Sequence, residues 1–71
     1  MTYLQANSFL MTRGGLSLDC RYFTPLQLQG LARTAVNAQH MFIIKHSEAL
    51  TVLSQIAIAN AGGKFVVFDF E

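Results

Sequence analysis

An internal disulfide bond is excluded in this sequence, because its 71 residues include one cysteine, Cys20. The sequence also has a single proline and no tryptophan. A folded chain of this length buries only about 60% of the surface that its unfolded form exposes, so its own core is small. Small domains are usually stabilised further by disulfides, by a metal or by association. With the disulfide excluded, we expect association with another chain to supply the additional stability.

Charge is also scarce, since 13% of the residues are charged, about half of the quarter that is usual in globular proteins. This shortage indicates a surface that is partly buried in an interface. The five basic residues are spread along the chain and the formal net charge is +1, so the sequence has no basic patch of the kind that binds nucleic acid. We therefore rank nucleic-acid binding third among the functions considered.

Long hydrophobic runs are absent as well. The longest uninterrupted apolar runs have four residues, such as residues 41–44, whereas a membrane-spanning helix needs about 18. The first residues carry no positive charge ahead of an apolar block, so no secretory signal is recognisable. Together with the lone cysteine, these features predict no membrane contact and a cytoplasmic location.

Two stretches of the sequence, residues 16–32 and 41–57, follow the same pattern at one constant offset. Each begins with a short apolar run and continues with apolar residues at helical spacing. The paired positions are Leu16/Met41, Leu18/Ile43, Leu28/Leu53, Leu31/Ile56 and Ala32/Ala57. A third apolar run, residues 65–68, follows the second predicted helix. This alternation predicts an α/β fold with a small three-stranded, mainly parallel sheet and helices packed on it.

The strand-helix rhythm over residues 16–70, with units of about 25 residues, resembles that of leucine-rich repeat solenoids. The matching residues are Leu16-x-Leu18 and Leu28-x-x-Leu31-Ala32. No asparagine occupies the position of that family's ladder, so the resemblance concerns the manner of construction and not membership of the family.

The N-terminal arm, residues 1–13, is compatible with two structures. Thr2 with Gln5 fits a capping box, and the basic residue and two glycines at its end fit the end of a helix. Two poor helix formers in its middle leave the strand of a hairpin as the alternative. We predict the helix, within one domain that spans residues 1–71 and continues with the strand-helix unit 16–70.

The two later helices have recognisable ends. Thr24 followed by Pro25 predicts the start of the first, because threonine caps a helix and proline suits its first turn. Ser47 is predicted to cap the second helix, and Gly62 with Gly63 is predicted to end it.

Right-handed crossovers would place both of these helices on one face of the sheet. Continuous apolar runs are typical of strands that are covered on both faces, so the other face needs cover as well. We predict that the N-terminal arm covers it in part and a second chain covers the rest. The residues predicted for the interface are Phe42, Ile44, Ile58, Val66, Phe68 and Phe70.

Three polar residues, Asp19, His46 and Asp69, stand where apolar runs end. Parallel sheets place ligand sites at the carboxyl ends of their strands, and a carboxylate beside an imidazole is the minimum for acid/base chemistry. These residues would carry catalysis if the chain is an enzyme. Neither a nucleophile elbow nor a phosphate-binding loop accompanies them. Polar strand ends are therefore the simpler interpretation, and we predict no catalytic residues.

A thiol-imidazole pair of Cys20 with His46 or His40 would suit a nucleophile or part of a metal site. The three residues lie on separate predicted elements, and the two histidines are about 20 Å apart along an extended strand. We therefore interpret Cys20 as a structural thiol and predict neither a metal nor a cofactor.

The leading hypothesis from these observations is a small protein-interaction module without enzymatic activity. It would self-associate, with a dimer as the first expectation, and would bind, inhibit or regulate a larger protein partner. The alternative is a minimal enzyme or small-ligand-binding protein that uses Asp19, His46 and Asp69 at the strand ends.

Overall fold

The computed structural model describes residues 1–70. Its elements are α1 (Tyr3–Thr12), β1 (Leu16–Asp19), α2 (Pro25–Ala38), β2 (Phe42–Lys45), α3 (Val52–Gly62) and β3 (Val66–Phe68). The three strands form one parallel sheet in the order β1-β2-β3, and the helices pack against it. The predicted α/β fold with a small parallel sheet is confirmed.

Two capping boxes start α1 and α2. The Gln5 backbone N–H donates to Thr2 Oγ1 at 3.2 Å, and the Thr2 backbone N–H donates to Gln5 Oε1 at 2.9 Å. Thr24 and Gln27 make the same reciprocal pair at the start of α2. Each box satisfies two amide groups that lack a partner inside the helix. Of the two alternatives for the N-terminal arm, the structure therefore has the helix.

Helix α1 lies beside α2, in the same layer. The Tyr3 hydroxyl sits against Gly30 so closely that a side chain at position 30 would overlap it. One turn further along, the Thr34 hydroxyl donates to Asn7 Oδ1 at 2.5 Å. Because α1 is held on the helical side, the prediction that the N-terminal arm covers the other face of the sheet is wrong.

The start of α3 differs from the prediction. Ser47 does not cap it, because its buried hydroxyl donates to the Ile44 carbonyl at 2.7 Å. Ser47 is instead the first residue of a short 3₁₀ helix. The helix begins one turn later, where Thr51 Oγ1 accepts a hydrogen bond from the Ser54 amide at 3.1 Å. This delay sets which side of α3 faces the sheet.

The hydrophobic core lies between the helices and one face of the sheet. Phe42, Ile44 and Ile58 are fully buried there, packed with Leu28 and Leu31 of α2. The prediction that Phe42 and Ile44 point away from α2 and α3 is therefore wrong. These two side chains form the centre of the core beneath the helices.

One shift in register accounts for this difference. In the sheet Leu16 pairs with Phe42, whereas the sequence pattern pairs it with Met41, one position earlier. The helix cap Thr24 corresponds to Thr51, whereas the sequence pattern would pair it with Ala49, two positions earlier. A shift of one position reverses the face of a strand, and a shift of two rotates a helical position by about 200°. Leu53, which the predicted offset pairs with a core leucine, is instead 80% exposed.

The accessible surface of the chain shows how complete this fold is. It measures 4323 Å², close to the roughly 4400 Å² expected for a folded monomer of 7.9 kDa. The chain thus reaches ordinary compactness by itself, and association is not needed to complete its core.

Candidate functional site

The carboxyl ends of the strands carry the charged groups that the sequence points to. At the end of β1, Arg21 binds the Asp19 carboxylate through two side-chain nitrogens, with Nη2 at 2.6 Å from Oδ2 and Nε at 3.0 Å from Oδ1. The Arg21 backbone N–H donates to the same carboxylate at 2.9 Å. These hydrogen bonds, above all those from the guanidinium, lower the pKa of Asp19 from its ordinary 3.8 to about 2.

His46 follows β2 and lies between two carboxylates. Its Nε2 is 3.9 Å from Asp19 Oδ2, and its Nδ1 is 3.5 Å from Glu48 Oε1. The backbone of His46 is left-handed, with φ of 59°, which costs a residue other than glycine about 1 kcal/mol. Asp69 does not join this group, because its carboxylate is 3.3 Å from Lys45 Nζ. Of the three candidate catalytic residues, the structure brings Asp19 and His46 together and places Asp69 in an ion pair.

Cys20 is buried directly behind these groups. Its Sγ donates a hydrogen bond to the His46 carbonyl at 3.1 Å, and burial raises the pKa of its thiol. A protonated, hydrogen-bonded thiol is a poor nucleophile. His40 lies at the opposite end of β2, where its Nδ1–H donates to the Leu10 carbonyl at 2.6 Å and ties α1 to the sheet. The interpretation of Cys20 as a structural group agrees with this geometry.

The strand ends border a shallow cavity of about 360 Å³. Its walls include Arg21, Phe23, Leu50, Thr51 and Ser54, which come from the turns after β1 and β2 and from the start of α3. Among residues 1–70, no group of three His, Cys, Asp or Glu side chains is arranged to hold a metal ion. The arrangement offers one carboxylate-imidazole contact beside a wide, open depression.

The other face of the sheet is the first of two uncovered apolar surfaces. Within residues 1–70 no helix lies on this face, because α1, α2 and α3 all occupy the opposite layer. Its central row is Ser17, Ile43 and Val67, aligned by the strand register, and Met41 extends it toward the start of β2. Val67 is 40% exposed and Met41 43%. We call these four residues the open sheet face.

The second apolar surface is the side of α3 that points away from the sheet. Ile58 and Gly62 mark its buried side, and the residues opposite them are Val52, Leu53, Ile56 and Asn60, which we call the α3 outer face. The three apolar members are between 51% and 80% exposed. The eleven residues of α3 include no charged side chain. Helix α1 has no charged side chain either, but its exposed apolar residues, such as Leu4 and Met11, are interspersed with Gln5, Ser8 and Thr12.

Comparison of the chain with known protein families, curated proteins and solved structures finds no match. Among the described residues 1–70, none of the helices combines the length and hydrophobicity needed to cross a bilayer. The function is therefore argued from the geometry of the site and the surfaces.

The six residues predicted for an interface divide into three groups. Phe42, Ile44 and Ile58 are core residues and are not available to a partner. Val66 and Phe68 are half-buried against the same core, and Phe70 is exposed. The interface prediction, which paired the two stretches at a constant offset, missed the residues that do lie on the surface. These are the residues of the open sheet face and of the α3 outer face. The larger offset between the two threonine caps that start α2 and α3 was the sequence signal that could have found them.

The Asp19 carboxyl provides a direct test of the strand-end geometry. We expect its titration, followed by carboxyl-carbon NMR, to have a midpoint of about 2. In an Arg21→Gln variant we expect the midpoint to rise toward 3.8. Because the pKa is lowered in the folded state, the stabilisation is present above pH 3.8 and is lost as the pH falls through about 2. A midpoint of 3.8 in both proteins would contradict the geometry.

Proposed function

We propose that the chain is a small protein-interaction module without enzymatic activity, which self-associates and binds, inhibits or regulates a larger protein partner. The observation that carries this proposal is the open sheet face. Parallel sheets occur almost only with both faces covered, because their crossover connections place helices on the faces, and their strands are accordingly apolar on both sides. Here the helices cover one face, and on the other face of the isolated chain Val67 is exposed and Ile43 is half-buried.

The α3 outer face supports the same function. A helix on the surface of a globular protein usually carries charged residues on its exposed side. Leu53 and Ile56 occupy that side of α3 instead, at 80% and 51% exposure. Contiguous exposed apolar residues of this kind mark sites of contact with other proteins. The two surfaces lie on opposite sides of the molecule, so both can be occupied at once.

The chemistry of the strand ends supports a role without catalysis. Asp19 is held by Arg21, Asp69 is paired with Lys45, and Cys20 is a protonated, buried thiol. The groups that would have to act on a substrate are thus engaged within the chain. The lone, buried Cys20 also supports a cytoplasmic location.

A minimal enzyme or ligand-binding protein is the second candidate. The contact between His46 and Asp19, beside the cavity and with His46 in a strained backbone conformation, favours it. Replacement of His46 by Gln would then abolish the biological activity of a chain that still folds. Retention of full activity would exclude this candidate. Nucleic-acid binding ranks below both, since Arg21, the basic residue next to exposed Tyr22, is committed to Asp19.

Site-specific photocrosslinking in the cells that produce the protein tests the proposed function. A benzophenone amino acid is placed at Val67 on the open sheet face, at Leu53 on the α3 outer face, or at the exposed control position Ser8 on α1. We expect adducts of discrete mass from the two surface positions and none from Ser8. A further Ile56→Asp change is expected to remove the Leu53 adduct. Equal labelling from all three positions, or none from any, would contradict the proposal.

A further inference from the structure

We infer that the open sheet face binds the same face of a second copy of this chain, with the strands of the two sheets antiparallel. The inference rests on the proposed function and names the partner of one of its surfaces. It goes further by assigning the relative orientation of the two sheets, which follows from the distribution of charge on this face.

The charged residues of the strands themselves lie at one end of the sheet. The strand register places Asp19 beside Lys45, and Lys45 is 3.3 Å from the Asp69 carboxylate, so these three residues form a row at the carboxyl ends of the strands. The next row toward the amino ends is Ser17, Ile43 and Val67, and it is uncharged. The face is therefore apolar and neutral at its centre and charged along one rim.

This pattern favours a second copy over a charged partner. Lys45 already pairs with Asp69, and Arg21 already pairs with Asp19, so this row is neutralised by its own pairs and does not select a partner of one charge sign. What the centre needs is an apolar, uncharged surface of the same size. The chain itself presents such a surface, and a two-fold axis brings the two copies of it together in a closed dimer.

The charged row also decides between the two ways of stacking the sheets. If the two-fold axis ran along the strands, Lys45 of one copy would lie over Lys45 of the other, in an interface that excludes water. If the axis runs across the strands beneath Ile43, the two charged rows lie at opposite rims, where water solvates them. Removing this row of paired charges from water is costly, and stacking each lysine on its copy adds repulsion. The axis across the strands is therefore selected, and β1 of one copy faces β1 of the other.

The available area limits the strength of this dimer. The Cα atoms span 29 × 23 × 20 Å, so the whole outline of the molecule is roughly 700 Å² or less, and the open sheet face occupies only part of it. A stable interface of standard size takes about 800 Å² from each partner. The dimer therefore falls below the standard size, and we expect a weak association that is reversible at micromolar to millimolar concentrations. The compact surface of the monomer agrees with an association that is reversible.

Sedimentation equilibrium on the full chain tests the identity of the partner. Over concentrations from about 10 μM to about 1 mM, we expect wild type to shift from monomer to dimer. Val67→Asp on the open sheet face is expected to weaken dimerisation at least tenfold, and Leu53→Asp on the α3 outer face to leave it unchanged. Circular dichroism verifies that both variants fold. A monomer at every concentration, or a dimer weakened only by Leu53→Asp, would overturn the inference.

The arrangement is tested by spin-label distances in the dimer. Packed sheets are about 10 Å apart, and residues two positions apart along a strand are separated by about 7 Å. In the antiparallel arrangement the two Ser17 positions are about 10 Å apart and the two Met41 positions about 17 Å. Parallel stacking would reverse this order. We expect the label at Ser17→Cys to give the shorter distance and that at Met41→Cys the longer one, with buried Cys20 unlabelled.

The outcomes separate this inference from the proposed function. A chain that stays monomeric but forms a Val67 adduct with another protein in cells would overturn the second copy as partner and would still support an interaction module. A shorter distance at Met41 than at Ser17 would overturn the antiparallel arrangement. Loss of both dimer and adducts would overturn both proposals.

Discussion

Replacing Phe42 with alanine is expected to lower the free energy of unfolding by about 3 to 5 kcal/mol, the range for removing a buried aromatic ring. Phe42 is fully buried between the sheet and the helices, and the structure around an emptied site collapses only in part. A domain of 71 residues has a total stability of roughly 4 to 11 kcal/mol. The loss is therefore a large share of the total stability, and urea denaturation followed by circular dichroism should show a much lower midpoint for the variant.

The adjacent residue is the matched control. Ile43 lies on the open sheet face and is only half-buried, so Ile43→Ala should cost about 1 kcal/mol. The two substitutions test which face of β2 carries the core, because neighbouring residues of a strand point in opposite directions. A larger loss from Ile43→Ala than from Phe42→Ala would show that the core lies on the other face.

The Gly62→Ala substitution should destabilise the fold by about 1 to 2 kcal/mol, which is opposite to its usual effect in a helix. Alanine normally stabilises a helix relative to glycine by about 1 kcal/mol. Here the new methyl group would overlap Val66 Cγ2 and would lie 3.0 Å from the Ala32 Cβ. Overpacking of this kind typically costs about 1 to 3 kcal/mol because backbone or neighbouring side chains must move. Chemical denaturation monitored by circular dichroism measures the change.

Asn60→Ala on the same helix is the control for this prediction. Asn60 is on the α3 outer face and exposed, so its replacement should change stability by no more than about 0.5 kcal/mol, in the stabilising direction. A stabilising effect of Gly62→Ala as well would show that α3 does not approach α2 and β3 as closely as the structure has it. The sign of the change at Gly62 is thus sufficient for the test.

Gly62 also matters for the surfaces. Its missing side chain lets α3 approach Ala32 of α2 and Val66 of β3, and this contact holds the rotation of the helix about its axis. That rotation presents Leu53 and Ile56 to solvent. A substitution that moves α3 is therefore expected to disturb the α3 outer face before it disturbs the open sheet face.

The sequence identified most residues of the candidate site, but it did not predict which side chains would pair with each other. Parallel strands bring their carboxyl ends to one edge, which placed Asp19 and His46 near each other without any knowledge of side-chain positions. Whether Asp69 would join them depended on competition among nearby charges. Lys45 binds Asp69 and Arg21 binds Asp19, and these pairings depend on side-chain directions that spacing along the chain does not determine.

The sequence by itself determined the order of elements, the parallel sheet and two of the helix starts. These features follow from local signals, such as the capping boxes at Thr2 and Thr24 and the alternation of strand and helix patterns. Each signal acts over a few residues, so no tertiary contact is needed to read it. The class of fold was therefore predictable.

Only the tertiary structure decided which faces are buried. Runs such as residues 41–44 are apolar at every position, so their pattern does not distinguish a core side from an open side. The strand register that pairs Leu16 with Phe42 and the late start of α3 at Thr51 make that choice. Because strand faces alternate at every residue and a helix turns about 100° per residue, an error of one or two positions exchanges core for surface. The open sheet face and the α3 outer face are the products of that register.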